Sequence, residues 1–511
     1  MRPTFMGFDI GKRGIQTAQK GLDITGQNLT NWDSVGYTRQ RVEQVAVAPG
    51  AYSTRFGSTK TAIAGQGVDI AGIGQTRDKF LDKRFRELNA EEGYYDQANK
   101  ILGDLETIIS DFEPTSDSGL GAMLTKILDA LQPSTEQADS DTYALLVRSA
   151  FKDMTQTLQY LNGKLENIAA QQKFDLGISV NDFNQTIQKI AALNESISQE
   201  RDILNNSHYG PNELLDERNY LLDELAKYGE IDVATNADGM VVVKMNGHTV
   251  INGKDYDPME MAENQNGTVS LKWVSTGDRI DVTNGLLKAT TDFLNGRGPN
   301  LAQDGETPYR GVLYYKDALD TFANKLVEIA NSSIPIMDSE GNPTGEYKKL
   351  MGAMSDQPNA DGKYVVDPDM PITAANVSIS DEWNENPSYL VFDQGSLLNN
   401  HILDLYNNLK YEDITFQSRG EQFNGSFKDY LTNYTATLAQ DKLFYNSRLE
   451  ASATLKNEMN DRRDEVSGVV TDEEVANMML YNKSLAAASR LMTAMDEALD
   501  VLINKTGLVG R

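Results

Sequence analysis

Cysteine is absent from all 511 residues, which excludes a disulfide framework, a thiolate metal site and a cysteine nucleophile, and leaves either redox compartment open. Histidine is nearly absent. The three present, His208, His248 and His401, stand far apart and offer no clustered general base or metal ligand set. HExxH, GxSxG and GxxxxGK[ST] do not occur, and Gly65-Gln66-Gly67 does not continue into GxGxxG. The expectation is therefore a non-enzyme with no cofactor and no metal. Positive charge is also scarce: Lys and Arg number 47 against 75 Asp and Glu, a net charge of -28, so the summed field repels phosphate backbones and anionic headgroups. Neither nucleic acid nor a membrane surface is expected as a partner. No apolar run approaches the roughly 18 residues of a membrane span; the richest, residues 475–481, is short and contains Asn477. Residues 1–9 lack the apolar core of about 7 to 15 residues that a cleavable secretory signal carries, so ordinary secretion is not expected.

What is present is ample. At about 150 residues per domain the length suggests roughly three domains, with enough chain to bury a sizeable core. Acidic clusters such as Asp472-Glu473-Glu474 and Asp338-Ser339-Glu340 lack the spacing of a calcium loop and read as solvated faces or helix N-termini.

The strongest pattern closes the chain. Met478, Tyr481, Leu485, Ala488, Met492, Met495, Leu499 and Leu502 follow alternating steps of three and four, an a/d seam on a long helix. Thr471 with Glu474 three positions later reads as its capping box. The beginning repeats those steps at Phe8, Gly11, Ile15, Ala18, Leu22, Thr25 and Leu29, although Gly7, Gly11, Gly14, Gly21 and Gly26 weaken that helix. Each glycine costs about 1 kcal/mol relative to alanine in a helix interior. Paired along the C-terminal seam, the glycines permit close backbone approach, so the two chain ends are expected to meet as two strands of one coiled coil.

Between them the period changes repeatedly. Residues 41–76, with Val45 and Val47 followed by scattered glycines, read as an extended arm or hairpin. Helical stripes then run through Ile101, Leu105, Ile108 and Phe112, through 147–168, and through 180–204, describing a rod-like bundle. From Gly229 the period drops to two, with Asp238-Gly239 and Asn246-Gly247 as two-residue hairpin turns. Residues 335–387 hold six of the 14 prolines, which excludes long helices there. Helix resumes after Leu397 through Glu465. The fold class expected is a multidomain α+β protein. Its terminal coiled coil spans 1–40 and 470–511, its linker 41–76, its helical bundle 77–228, 284–333 and 396–469, its small antiparallel β domain 229–283, and an irregular, partly β outer insertion 334–395.

Several segments resemble a known family. Leu22-Asp23-Ile24-Thr25-Gly26-Gln27-Asn28-Leu29-Thr30-Asn31, continuing to Gly36-Tyr37-Thr38-Arg39-Gln40, is similar to the N-terminal signature of flagellar rod, hook and hook-associated proteins. Gly65-Gln66-Gly67-Val68 with residues 77–81, and Glu474-Val475-Ala476-Asn477-Met478-Met479 near the end, resemble the segments that accompany it. Residues 211–225 and Arg463-Asp464-Glu465-Val466-Ser467-Gly468-Val469 resemble a hook-associated member rather than the hook protein. One departure is Trp32-Asp33-Ser34-Val35, where the family carries a small polar run ending in Thr-Pro.

The resemblance implies a structural subunit at the junction of hook and filament, exported by the flagellar type III apparatus to an extracellular position. It implies as partners the hook protein, hook-associated protein 3, further copies of the chain, and a cytoplasmic export chaperone on the C-terminal helix. With the a/d stripes it assigns the polymerisation interface to Phe8, Ile15, Leu22, Leu29, Met478, Tyr481, Leu485, Met492, Met495, Leu499 and Leu502, on helices loose in the monomer and ordered on assembly. The competing readings are another axial component such as the hook protein, and an exported adhesin or hydrolase with its activity in the outer insertion.

Overall fold

The computed structural model describes residues 6–47, 65, 67–112, 119–135, 141–204, 211–236, 238–300, 303–338, 342–355, 357–359, 364–390, 397–411, 413–419 and 421–505. Helix α1 (Met6–Thr30) is followed by β1 (Gln40–Ala46) and β2 (Val68–Gln75), an antiparallel pair with a register shift at Glu43/Gln44. The arm expected over 41–76 is thus a hairpin in its described part. Next come α2 (Lys79–Ile109), α3 (Leu120–Ser134) and α4 (Asp141–Leu204). The two stripes read over 147–168 and 180–204 lie on this single helix of 64 residues, which holds no proline to interrupt it. Then follow α5 (Asn212–Leu225), β3 (Ile231–Thr235), β4 (Val241–Met245), β5 (His248–Asn252), β6 (Asp255–Tyr256), β7 (Met259–Glu263) and β8 (Val269–Trp273). Helices α6 (Leu286–Leu294) and α7 (Val312–Ser333) precede short strands β9 (Pro335–Met337), β10 (Pro343–Tyr347), β11 (Met351–Met354), β12 (Val366–Asp367) and β13 (Val377–Ile379). The chain closes with α8 (Asp381–Glu385), α9 (Leu397–Lys410), β14 (Ile414–Ser418), β15 (Glu421–Gly425), α10 (Phe427–Ser467), α11 (Thr471–Asp500) and a π-helical turn, Val501–Lys505.

These elements form two compact units rather than the roughly three that length suggests. One comprises residues 1–90, 183–258 and 452–511, and the other 91–182 and 259–451. In the first, Phe183, Ile187 and Ile190 of α4, Leu222 and Leu225 of α5, and Val243 and Ile251 of the sheet are all buried. Asn194 pins α4 to that sheet: its amide donates to the carbonyls of Val241 (3.1 Å) and Gly253 (2.8 Å) and accepts from the Val241 N–H (3.0 Å). The sheet runs β3-β4-β5-β6, every neighbour antiparallel. Asn246-Gly247 makes the expected tight turn, with φ 47° and 82°. Asp238-Gly239 does not; there Asn236 and Met240 pair across a longer loop, the Asn236 side chain accepting from the Met240 N–H at 2.9 Å.

The second unit packs Leu105, Leu124, Phe151, Leu158, Phe322, Leu326, Leu405 and Tyr430 into one core. Two expectations change here. The β domain placed at 229–283 is divided: β3 to β6 belong to the first unit, while β7 and β8 form a separate two-stranded sheet within the second. The segment read as helix after Leu397 contains a hairpin, β14 with β15, whose Phe416 stacks on Tyr430 at 4.2 Å. The proline-rich region has the short strands its composition suggests, yet in its described residues it is not an outer insertion. Leu350, Met351, Val377, Ile379 and Trp383 are buried in the core, with Trp383 5.3 Å from the Phe151 ring. Large apolar side chains at those positions gain more from burial than a solvated appendage allows.

Candidate functional site

The two chain ends meet, as the paired stripes suggest. Helices α1 and α11 run antiparallel, Gly7 facing Met495, Gly11 facing Met492, Gly14 facing Ala488 and Gly21 facing Tyr481. The glycines are needed for this approach. A Cβ on Gly11 would lie 2.6 Å from the Met492 sulfur, and one on Gly21 would lie 2.5 Å from the Tyr481 ring, closer than any real contact permits. Gly26 faces open space.

The N-terminal seam is therefore small-residue, Gly7, Gly11, Gly14, Ala18, Gly21, Thr25 and Asn28, in steps of four and three. Phe8, Ile15, Leu22 and Leu29 lie one position along and are half-buried beside it, so the large residues expected at its centre flank it instead. The reason is steric. Met492, Met495 and Tyr481 already fill the space between the backbones, leaving room opposite only for hydrogen. On α11 the seam residues Met478, Tyr481, Leu485, Ala488, Met492, Met495 and Leu499 are all half-buried. Leu502 is not on it; it falls in the π-helical turn, where the side-chain phase changes, and is 51% exposed.

The base of the pair is locked by polar groups. Asn28, 1% exposed, donates to the Gln40 carbonyl (2.9 Å) and to the Glu474 carboxylate (3.2 Å), and accepts from the Tyr37 hydroxyl (2.8 Å) and the Gln40 N–H (3.0 Å). Arg39 grips both acids at the start of α11, Glu474 at 2.8 Å and Glu473 at 2.9 Å. Glu474 is 2% exposed and does not serve a capping box. The N-cap position is Val470, which offers no side-chain acceptor, and the carboxylate turns inward because Arg39 and Asn28 satisfy it there.

A second layer ties this base to α5. Asp216 accepts from the Thr38 N–H (3.2 Å) and the Gln75 amide (2.8 Å), while Arg77 donates to Thr38 Oγ1 (3.1 Å) and pairs with Asp82 (2.6 Å). Gln27 donates to Glu213 at 2.7 Å. Burial pushes the Asp216 carboxyl up to about 6, against the hydrogen bonds of Thr38, the charge of Arg77 and the hydrogen bond of Gln75. Burial, joined by the charges of Asp216, Glu213 and Glu474, also holds the Tyr37 hydroxyl protonated well above its ordinary range.

Periodicity missed all of these polar residues because it counts apolar positions. The available signal was that Asn28, Tyr37, Thr38, Arg39, Gln40, Asp216 and Glu474 lie inside the very segments that carry the family resemblance. His248 contacts Asp257 at 2.8 Å and His401 lies 3.9 Å from Asp404, whereas His208 is outside the described residues. Among the described residues no group of three or more His, Asp or Glu is placed to hold a metal ion, and no helix is long and apolar enough to cross a membrane.

Residues 102–334 match the family described as Flagellar hook-associated protein FlgK helical domain. The chain is 27% identical over 535 residues to flagellar hook-associated protein 1 of Bacillus subtilis (strain 168), covering 100% of both chains. It is 24% identical over 570 residues to flagellar hook-associated protein 1 of Salmonella typhimurium, covering 96% of this chain and 98% of that one. The solved structure of the flagellar hook junction protein FlgK from Burkholderia pseudomallei shares the fold, with TM-score 0.57 at 11% identity over 75% of this chain and 100% of that one. With a match of that description at its centre and relatives carrying one name along its full length, the chain is similar throughout to flagellar hook-associated protein 1.

Proposed function

We propose that this chain is a structural subunit at the junction of hook and filament, and that copies associate through the helix pair α1 and α11. The observation carrying the assembly mechanism is the incomplete burial of that pair. Its seam closes on glycine, yet the seam residues of α11 remain half-buried, and Met479 and Leu480, each 60% exposed, and Ile503, 73% exposed, lie off it. Apolar surface left open on a helix pair is stabilised when further copies cover it. In this reading the hook protein lies on one side of the junction and hook-associated protein 3 on the other. The C-terminal helix is held by an export chaperone before passage through the type III apparatus to the extracellular flagellum.

The packing decides which substitution tests the mechanism. Met492 already meets Gly11 within one chain, so Met492→Asp is expected to loosen the pair before assembly as well as after. Lys483, exposed and off the seam, serves as the mild control. Leu480→Asp is the cleaner probe, because in a single copy that side chain stands in water.

The experiment is electron microscopy of flagella from a deletion strain carrying each version. The wild-type chain should restore filaments, the empty strain should show bare hooks, and Leu480→Asp should give bare hooks with secreted subunit of unchanged melting. Filaments at wild-type frequency in the empty strain would sink the junction role. Filaments with Leu480→Asp would remove the exposed face of α11 from the mechanism.

A further inference from the structure

Of the four methionines on α11, two fill the glycine notches of α1. The Met492 sulfur would lie 2.6 Å from a Cβ on Gly11, and the Met495 methyl and sulfur would lie 2.4 and 2.8 Å from one on Gly7, so each thioether occupies the place a side chain would take. Both methionines are half-buried. Met479, off the seam, is 60% exposed, whereas Met154, Met245, Met259 and Met351 are at most 1% exposed.

A thioether sulfur is soft and accepts oxygen from a peroxide. Its lone pair attacks one peroxide oxygen, the S–O bond forms as the O–O bond breaks, and the displaced hydroxide takes the remaining proton and leaves as water. Sulfur loses two electrons and the peroxide gains them. The product is a sulfoxide, polar where the thioether was apolar. On this seam it lacks a partner, because the residues that the two sulfurs meet are glycines, which have no side-chain donor. The close approach that excludes a Cβ also excludes the new oxygen on that side. An unbonded polar group is costly to bury, so the oxidised side chain turns out to water and leaves its notch empty.

We propose that Met492 and Met495 are oxidation sites for a peroxide, and that their conversion to sulfoxide unlatches α1 from α11 in the unassembled chain. Reach separates these two from the core methionines, since a small oxidant meets a half-buried thioether and does not meet a fully buried one. Consequence separates them from Met479, which also reacts but does not fill a glycine notch. The change is reversible, because methionine sulfoxide reductases remove the oxygen with a thiol as reductant. It is also confined to the seam, since the base of the pair is held by hydrogen bonds among Asn28, Arg39 and Glu474 that do not involve sulfur. Neither step depends on a second copy.

The test exposes the purified full-length chain to hydrogen peroxide, locates the added oxygen by peptide mass spectrometry as a gain of about 16 Da per methionine, and follows hydrogen exchange of the α1 amides. We expect oxygen at Met479, Met492 and Met495 before Met154, Met245, Met259 and Met351, with α1 protection lower by about tenfold or more. Treatment with a methionine sulfoxide reductase and dithiothreitol should restore that protection. Met479→Leu should leave the response unchanged, and Met492→Leu with Met495→Leu, a swap of similar volume, should keep α1 protected in peroxide. The proposal is overturned if Met492 and Met495 oxidise no faster than Met154, if α1 stays protected once both are oxidised, or if the reductase removes the oxygen without restoring protection. Loss of protection in peroxide by the double leucine variant, as in wild type, would overturn it equally. Should that variant lack α1 protection before oxidation, the reductase arm on the wild-type chain decides.

Discussion

Gly21 and Gly26 sit five residues apart on α1 and face opposite circumstances, the first against the Tyr481 ring and the second against open space. Gly21→Ala places a methyl where the ring stands, and overpacking of that kind costs about 1 to 3 kcal/mol. Gly26→Ala meets nothing and gains helix propensity, up to about 1 kcal/mol. Hydrogen exchange of the α1 amides should therefore fall in protection for the first and hold or rise for the second; equal behaviour would mean that the helices do not approach on this face. Asp216 makes a different prediction. Its folded pKa of about 6 lies above the unfolded value of about 3.9, so between those pH values the folded state holds a proton that the unfolded state has lost. Stability then falls as pH rises through that window, by roughly 2 to 3 kcal/mol, and is flat above it. Asp216→Asn removes this contribution. Denaturant titrations of both proteins from pH 4 to 7 should show the variant gaining relative to wild type as pH rises, and a constant difference would mean an ordinary carboxyl at Asp216.

At the scale of elements, α11 is held at its first turn by Arg39 rather than by a cap of its own. Arg39→Met leaves the buried Glu474 with only the Asn28 amide, and an uncompensated buried charge costs about 3 kcal/mol. The expected result is a helix pair that loses exchange protection while the second unit keeps its melting temperature. Loss spread equally over both units would contradict a local lock. Helices α2 and α4 offer the reverse experiment. Gly103, Gly163 and Gly177 lie inside them with nothing within 4 Å of an added Cβ. Each Gly→Ala there should stabilise by about 0.5 to 1 kcal/mol, and the triple variant should melt higher by calorimetry. A lower melting temperature would show that those turns need glycine.

At the scale of the whole molecule, the proline-rich segment is the informative part. Truncating Trp383, fully buried against Phe151, to alanine should cost about 3 to 5 kcal/mol. Deleting residues 335–390 should abolish the calorimetric transition of the second unit, whereas a detachable outer insertion would leave that transition in place. The number of compact units follows from the same packing. Chain length suggests roughly three because it counts residues, whereas the described contacts divide the chain into two, because segments distant in sequence complete each core.

Sequence alone determined what depends on local pattern. The a/d steps of residues 478–499 specified a helix and the face it buries, the Asn246-Gly247 pair specified a turn because both positions need positive φ, and the absence of cysteine ruled out thiolate chemistry. Tertiary structure decided what depends on which surfaces meet. Phe8, Ile15, Leu22 and Leu29 have the right period, but a period does not say which of two adjacent rows faces a partner already filled by Met492 and Tyr481. Glu474 has capping-box spacing, yet Arg39 and Asn28, 435 and 446 residues away, satisfy it better than a helix end. Burial of a polar group is decided by partners that only the folded chain brings within hydrogen-bond distance, so the apolar half of the site was legible in the sequence and the polar lock was not.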